Sequence, residues 1–271
     1  MNRAALTIAT LIASVLLQAV ARAGEIARGP QDPYNYLARE RLVTSSRRAG
    51  EYDAALYHAA WLYWLAPREY AERAEKVLGD RQVLDRARRA GREGPVDVVL
   101  AAVEARRVRL DVCLSGRVES QAPVREERIT NLIALAEAAQ VRSGETDPVI
   151  RGALADLYLT LDDIISLCDS AARVKARKQT LRRAVAAAEA VTQSLPNAPG
   201  AYRLLTVARA RRAELSDDPE EWDLAITACA HALAPDPDDA ALCETMWGLH
   251  LRAGQWDEAK RWQSRCEKRM R

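Results

Sequence analysis

The chain has 271 residues, of which 49% are hydrophobic and 29% are charged. This composition excludes an intrinsically disordered chain and a polytopic membrane protein. Its 40 Lys and Arg residues against 38 Asp and Glu residues leave a formal net charge of +2, which gives no global case for binding nucleic acid or an anionic membrane. The chain contains no Phe and is rich in Ala, which favours closely packed helices over sheets.

The first 23 residues have the pattern of a secretory signal peptide. Arg3 precedes an apolar stretch from Ala4 to Val20, and the small-x-small sequence Ala21-Arg22-Ala23 follows. An uncleaved membrane anchor is the alternative, but the apolar stretch is short for a span of about 20 residues. We therefore expect cleavage after Ala23, an N-terminal extension over residues 24–32, and a periplasmic or secreted chain with no membrane span.

Proline and glycine divide the rest of the chain into helical segments. Proline stands where first turns would begin, in places after a capping Asp, as in Asp147-Pro148 and Asp218-Pro219. Gly50 and Gly254 stand where predicted helices end, at positions that favour a left-handed C-terminal cap. No convincing strand pattern is found, and about twelve helices are predicted to start near residues 33, 51, 68, 80, 95, 123, 148, 172, 199, 219, 240 and 255. Their short connections favour about six antiparallel hairpins.

One short motif recurs at the head of three of these helices. It consists of an aromatic residue, Asp, any residue and Ala, and it occurs at Tyr52 to Ala55, Trp222 to Ala225 and Trp256 to Ala259. Trp222 and Trp256 are 34 residues apart, and a proline follows Tyr52 and Trp222 by fifteen residues. These residues and this period resemble the tetratricopeptide repeat, a two-helix unit.

The resemblance implies an all-α, right-handed solenoid of about six hairpins that forms a single domain over residues 33–271. It is clearest at residues 33–67 and 199–271, whereas residues 68–198 keep the helical rhythm with longer helices and lose the motif. A separate helical bundle in this middle section is the alternative. In a solenoid each hairpin would contact only its neighbours.

The resemblance also implies a function. In this family the first helices of successive hairpins line a concave groove, and Arg48, Arg211 and Arg252 align on such helices, with Arg203 and Glu244 nearby. We expect this groove to bind a protein or peptide partner that carries anionic or carboxylate groups. Two alternatives remain open: an Arg-rich composition that falls there by chance, and a small-ligand accessory protein of a transporter with a pocket lined by the N-terminal aromatic residues.

Catalytic and cofactor motifs are not found, so we expect neither an enzyme nor a metal or cofactor site. The three histidines, His58, His231 and His250, form no zinc-binding pattern. The acidic cluster around Asp239 is better explained by helix capping than by calcium binding. Basic runs such as Arg86 to Arg92 are interpreted as solvated helix faces and not as a nucleic-acid groove.

Five cysteines in an exported chain are expected to be at least partly oxidised. We expect one disulfide within the trio Cys229, Cys243 and Cys266, in which Cys243 has two plausible partners, and a second between Cys113 and Cys168. Five buried, reduced cysteines are the alternative.

Overall fold

The computed structural model describes residues 30–90, 94–115, 118–143, 146–167, 171–216 and 218–267. Over these ranges it contains twelve α-helices: α1 (Tyr36–Ala49), α2 (Tyr52–Leu65), α3 (Arg68–Gly79), α4 (Arg81–Ala90), α5 (Pro95–Ser115), α6 (Val118–Arg142), α7 (Pro148–Ser166), α8 (Ala171–Ser194), α9 (Pro199–Ser216), α10 (Pro219–Leu233), α11 (Ala240–Arg252) and α12 (Trp256–Glu267). The predicted all-α fold class is confirmed, and the helices follow one another in hairpin order.

Local signals in the sequence place most helix ends. The side chain of Asp147 accepts hydrogen bonds from the backbone N–H groups of Val149 and Ile150, and Asp239 caps α11 in the same way. Gly50 and Gly254 have φ values of 80° and 73°, the left-handed conformation that these helix ends require.

Helix α6 differs from the prediction. It begins at Val118 and contains Pro123, which the sequence pattern had placed at its start. The proline lies early in the helix, where its missing N–H removes one backbone hydrogen bond without ending the helix. All other predicted starts agree with the structure to within three residues.

Helix α2 occupies the centre of the fold, which corrects the expectation that each hairpin contacts only its neighbours. It packs on α1, α3 and α4 and also on α5, α7 and α9, which lie well beyond the neighbouring hairpin in the sequence. Twelve of its 14 residues are buried. Helices α3 and α4 both pack on α2 more extensively than on each other, so they do not form a regular hairpin.

Two glycines allow α2 to approach α7 and α9 closely. At Gly200 on α9, an added Cβ would stand only 2.7 Å from the carbonyl carbon of Leu65. At Gly152 on α7, it would stand 3.1 Å from the Cβ of Trp64. Among the aromatic residues of α2, Tyr57, Trp61 and Trp64 are buried in the core, whereas Tyr52 and Tyr63 are partly buried against it.

The long helices of the middle section belong to the same core as α2. Helices α5, α6, α7 and α8 have 21, 25, 19 and 24 residues, as the sequence predicted in outline. Their apolar side chains join those of α2 and α9 in one hydrophobic cluster, which does not support a separate bundle. A second, smaller cluster lies between α10, α11 and α12.

The small residues of the repeated motif are buried as expected, since Ala55, Ala225 and Ala259 are all inaccessible or nearly so. The aromatic residues behave differently. Trp222 is buried at 8% exposure, whereas Trp256 is 62% exposed because no described helix covers it.

The cysteines of the C-terminal trio require a correction. Cys229, Cys243 and Cys266 are free thiols in the structure, so the disulfide predicted among them is not formed. The Cys229 thiol lies 3.7 Å from the carbonyl oxygen of Leu242, and the Cys243 thiol lies 3.7 Å from that of Pro237, so each has a backbone acceptor. Burial raises the pKa of Cys229 to about 12, which disfavours the thiolate needed for disulfide chemistry.

Two further predictions lie outside the described residues. They are the signal peptide over residues 1–23, together with nearly all of the extension over residues 24–32, and the Cys113–Cys168 disulfide, because Cys168 and the side chain of Cys113 are not described. Among the helices that are described, none combines the length and the apolar character that a membrane span requires.

Candidate binding groove

The first helices of the last two hairpins, α9 and α11, form the sides of an open groove of about 410 Å³. Three of the five residues that the sequence placed in a concave groove line it, namely Arg211 from α9 and Glu244 and Arg252 from α11. Val207 and Trp247 supply apolar surface between them. The tertiary structure therefore brings these three residues together.

Arg211 is held by the core of the protein. Its guanidinium lies 2.6 Å from the carboxylate of Asp163 and 3.7 Å from that of Asp162, and it donates a hydrogen bond of 2.9 Å to the carbonyl oxygen of Leu159. All three partners lie on α7, and Asp162 is also paired with Arg177 on α8. Arg211 therefore ties α9 to α7 and has limited freedom to contact a ligand.

Arg252 and Glu244 are the accessible charges of the groove. The Arg252 side chain is 60% exposed and forms an ion pair with Glu214 of α9, so this pair bridges the two sides. Such an exposed pair is worth only about 0–1 kcal/mol, so a ligand carboxylate can compete with Glu214 for Arg252 at little cost. Glu244 is exposed on α11, the same helix as Arg252.

The other two predicted residues lie elsewhere. Arg48 lines a separate pocket with residues of α1, α3 and α4, because α2 packs between α1 and α9 and separates α1 from the groove. Arg203 lies in the first turns of α9, N-terminal to the groove residues, and lines a cavity next to the groove. It donates a hydrogen bond of 3.1 Å to the carbonyl oxygen of Ala66, directly after α2.

This central cavity has a volume of about 440 Å³ and lies where α2 ends. It shares Thr206, Val207 and Thr245 with the groove, so the two are continuous. Its walls come from six helices, α2, α3, α5, α7, α9 and α11. The cavity is therefore a product of the central position of α2 and could not be read from any one repeat.

A charged pair supports the wall of the cavity at α2. Arg106 donates to the Asp156 carboxylate at 2.8 and 2.6 Å, and Trp64 donates to the same oxygen from its indole N–H at 3.3 Å. The Arg106 guanidinium also lies 3.8 Å from the centre of the Tyr63 ring, a cation–π contact. Burial acts to lower the pKa of Arg106, but the combined interactions with Asp156, Tyr63 and Glu75 outweigh it and the pKa is raised.

The histidines have local partners. His58 Nδ1 lies 3.2 Å from an Nη atom of the buried Arg39, His231 stacks on Tyr202 with ring centres 4.7 Å apart, and His250 Nδ1 lies 2.6 Å from the side-chain oxygen of Gln255. Within the ranges that the structure describes, no group of three or more His, Cys, Asp and Glu residues could hold a metal ion.

Sequence reasoning missed most of the cavity and part of the groove. Trp247, which lines the groove, belongs to none of the motifs, and Arg106 and Asp156 are 50 residues apart in the sequence. The glycines at positions 152 and 200 were a usable signal, because a glycine inside a predicted helix often marks a close helix approach.

Comparison with solved structures finds a likeness to a tetratricopeptide-repeat protein. The crystal structure of TTC0263, a thermophilic TPR protein of Thermus thermophilus, aligns with 86% of this chain and 90% of its own at 15% identity and a TM-score of 0.47. The MamA RS-1 ArsTM double mutant aligns with 62% of this chain and 93% of its own at 14% identity and a TM-score of 0.29. These low similarities concern the arrangement of helices alone.

No protein-family model and no curated protein sequence matches the chain.

Proposed function

We propose that this protein is a non-catalytic, exported scaffold that binds an extended segment of a protein partner along the groove between α9 and α11. The observation that carries the proposal is the groove itself, which is open, lies between the first helices of two consecutive hairpins, and combines the accessible Arg252 and Glu244 with the apolar surface of Val207 and Trp247. Repeat proteins built from such hairpins present extended surfaces of this kind for binding.

The partner segment is proposed to carry an acidic side chain. This carboxylate would pair with Arg252 in place of Glu214, while Glu244 on the same helix favours a basic residue nearby in the partner. Arg211 positions α9 and is not the contact residue, because its charge is already matched by Asp163 and Asp162.

A site-specific crosslinking experiment tests the groove. A photoreactive amino acid is placed at Val207, which lies in the groove at 40% exposure, and in a second variant at Val174, which lies on α8 at 39% exposure. Both are produced as the full chain in cells, and crosslinked partners are identified by mass spectrometry. We expect a discrete partner from position 207 that position 174 does not yield.

Charge reversal then separates the groove from the rest of the surface. Arg252→Glu is expected to abolish the crosslink at position 207, whereas Arg48→Glu, which changes the same charge in a different pocket, should leave it unchanged. A crosslink that survives Arg252→Glu, or equal products from both positions, would contradict the proposed site. Arg211→Glu is unsuitable because it would place a third carboxylate beside Asp162 and Asp163.

The export part of the proposal is supported by the sequence of residues 1–23. Its test is the intact mass of the protein recovered from the cell envelope fraction. A measured mass equal to that of a chain beginning at Gly24 would support cleavage after Ala23. A chain that keeps Met1 and remains inside the cell would contradict it.

A further inference from the structure

The central cavity at the end of α2 has the dimensions of a small-molecule site. Its volume of about 440 Å³ falls in the range of about 300–1,000 Å³ that is typical of such sites. Six helices, α2, α3, α5, α7, α9 and α11, contribute residues to its wall. Tyr63 and Trp64 of α2 line this cavity and do not line the groove, so the two sites differ in their walls although they adjoin.

Apolar side chains make up much of the wall. Leu204 and Val207 of α9 face the cavity together with Leu242 of α11, and the rings of Tyr63 and Trp64 close it on the side of α2. Val207 is 40% exposed and Leu204 is only partly buried, so both leave apolar surface that a ligand could cover. This surface suits the apolar body of a ligand.

The charged groups of the wall are unequally satisfied. Arg106 and Asp156 pair with each other, and Arg68 lies 2.7 Å from Glu72 and 3.6 Å from Asp239. Glu75 also lines the wall, where its charge acts on Arg106 and Tyr63. Arg203 donates one hydrogen bond, to the carbonyl oxygen of Ala66, and among the described residues no carboxylate lies within 4.0 Å of its guanidinium. A guanidinium has five N–H donors, so Arg203 retains donors at the cavity.

The environment of Arg203 favours an anionic partner. Arg203 is partly buried, and this burial lowers the pKa of its guanidinium because it removes water from the charge. Asp239 and Glu72 act on it from a distance in the opposite sense, but both are engaged with Arg68. An incoming carboxylate at Arg203 would form a charge-assisted hydrogen bond, which is stronger than one to a neutral acceptor.

We propose that the central cavity binds a small organic anion with an apolar body, whose carboxylate is held by Arg203 and whose body lies against Leu204, Val207 and Leu242. The ligand bridges two parts of the molecule, since Arg203 and Ala66 are 137 residues apart. Occupancy therefore fastens the end of α2 to α9 and α11 and, through the shared wall at Val207, adjoins the groove.

Calorimetric titration of the full chain with phenylbutyrate tests the proposal, with phenylbutanol and phenylbutylamine as neutral and cationic probes of the same body. We expect saturable one-to-one binding of phenylbutyrate that is at least tenfold tighter than that of either other probe. We also expect phenylbutyrate to raise the melting temperature of the protein, because it binds only the folded state. Equal binding of the three probes, or no saturable binding of phenylbutyrate, would overturn the proposal.

Three variants locate the site. Arg203→Gln should weaken phenylbutyrate binding at least tenfold, Arg203→Lys should retain part of it, and Ala241→Trp should abolish it by filling the cavity from α11. The matched control is Arg48→Gln, which changes an exposed arginine in a separate pocket and should leave phenylbutyrate binding unchanged. Circular dichroism confirms that each variant is folded, and Ala241→Trp provides the test if Arg203→Gln is not.

The outcomes separate this site from the groove. Phenylbutyrate binding that Arg203→Gln weakens supports the cavity whether or not the crosslink at position 207 is observed. If phenylbutyrate does not bind while Arg203→Gln abolishes that crosslink, the cavity belongs to the protein-binding groove and the small-molecule site is disproved.

Discussion

Helices α2 and α12 begin with the same motif, yet their surroundings differ greatly. In α2, Tyr52 to Ala55 leads into a helix with twelve buried residues among 14, whereas in α12 the corresponding residues lead into a helix in which only Ala259 is buried. The shared role of the motif within the chain is local, since its alanine is buried in both places. What covers the outer faces depends on other helices.

The difference shows that this molecule is not a simple linear stack. Helix α2 lies against α5, α7 and α9 of later hairpins and removes part of the inner surface from solvent, while α12 lies at the edge of the small C-terminal cluster. The cavity lies at the end of α2, next to α9 and α11, and the groove lies between α9 and α11. Four predictions test this comparison.

The largest effect is expected from Trp64→Ala in α2. The Trp64 side chain is almost fully buried, packs against Gly152 of α7 and donates a hydrogen bond to Asp156, so its removal should lower the free energy of unfolding by about 3–5 kcal/mol. Urea unfolding followed by circular dichroism measures it. A loss below about 1 kcal/mol would contradict the central position of α2.

A smaller loss is expected from Gly200→Ala. The new Cβ would stand 2.7 Å from the carbonyl carbon of Leu65, and because this neighbour is backbone it cannot rotate away. We expect a loss of about 1–3 kcal/mol in the free energy of unfolding. The matched control is Gly248→Ala in α11, where a Cβ meets nothing within 4 Å and should add about 0.5–1 kcal/mol through the helix propensity of Ala. Two variants of equal stability would argue against the close approach of α2 and α9.

The third prediction concerns pH. Burial, and secondarily the charge of Arg39, lower the pKa of His58 on α2 from 6.5 to about 4. The unfolded chain therefore binds this proton first as the pH falls, so the contribution of the neutral histidine is complete above pH 6.5 and is lost as the pH falls toward 4. Each pKa unit corresponds to about 1.36 kcal/mol, so the loss between pH 7 and pH 5 should be about 2 kcal/mol.

His58→Gln isolates this contribution, because glutamine does not titrate and can still accept a hydrogen bond from Arg39. Unfolding free energies at pH 7 and pH 5 are compared in both proteins. The wild type should lose about 2 kcal/mol more than the variant over this interval. An identical pH dependence would show that His58 is accessible to protons in the folded state.

The smallest effect is expected from Trp256→Ala in α12. Its side chain is 62% exposed, so the free energy of unfolding should change by no more than about 0.5 kcal/mol. The same urea experiment applies, with Trp222→Ala as the buried counterpart at the same motif position. A large loss at Trp256 would mean that a further surface covers it in solution.

The sequence was most informative about single helices. Asp147, Asp239 and Gly50 acted through groups within a few residues, and they set the ends of α7, α11 and α1 where expected. The repeated motif predicted hairpins, and with them the first helices that were expected to line a groove. It did not place Arg48 correctly relative to Arg211, because their alignment assumed a regular solenoid that the central α2 interrupts.

The cysteine predictions show another limit. Cys229, Cys243 and Cys266 belong to one cluster in the structure, yet all three are free thiols and they differ in burial. The spacing of the cysteines in the sequence does not determine these differences. Disulfide formation depends on the separation and direction of the Cβ atoms, which the packing of α10, α11 and α12 decides.

By itself, the sequence determined an all-helical chain of short-linked helices, their ends, and the small residues at which the helices of a hairpin meet. These follow from capping, periodicity and side-chain size, which act over a few residues. Only the tertiary structure decided that α2 fills the centre, that Gly200 receives its backbone, and that Arg203 faces a cavity beside Tyr63 and Trp64. Contacts between groups as far apart in the sequence as Arg203 and Ala66 depend on how the whole core packs, which no local pattern specifies.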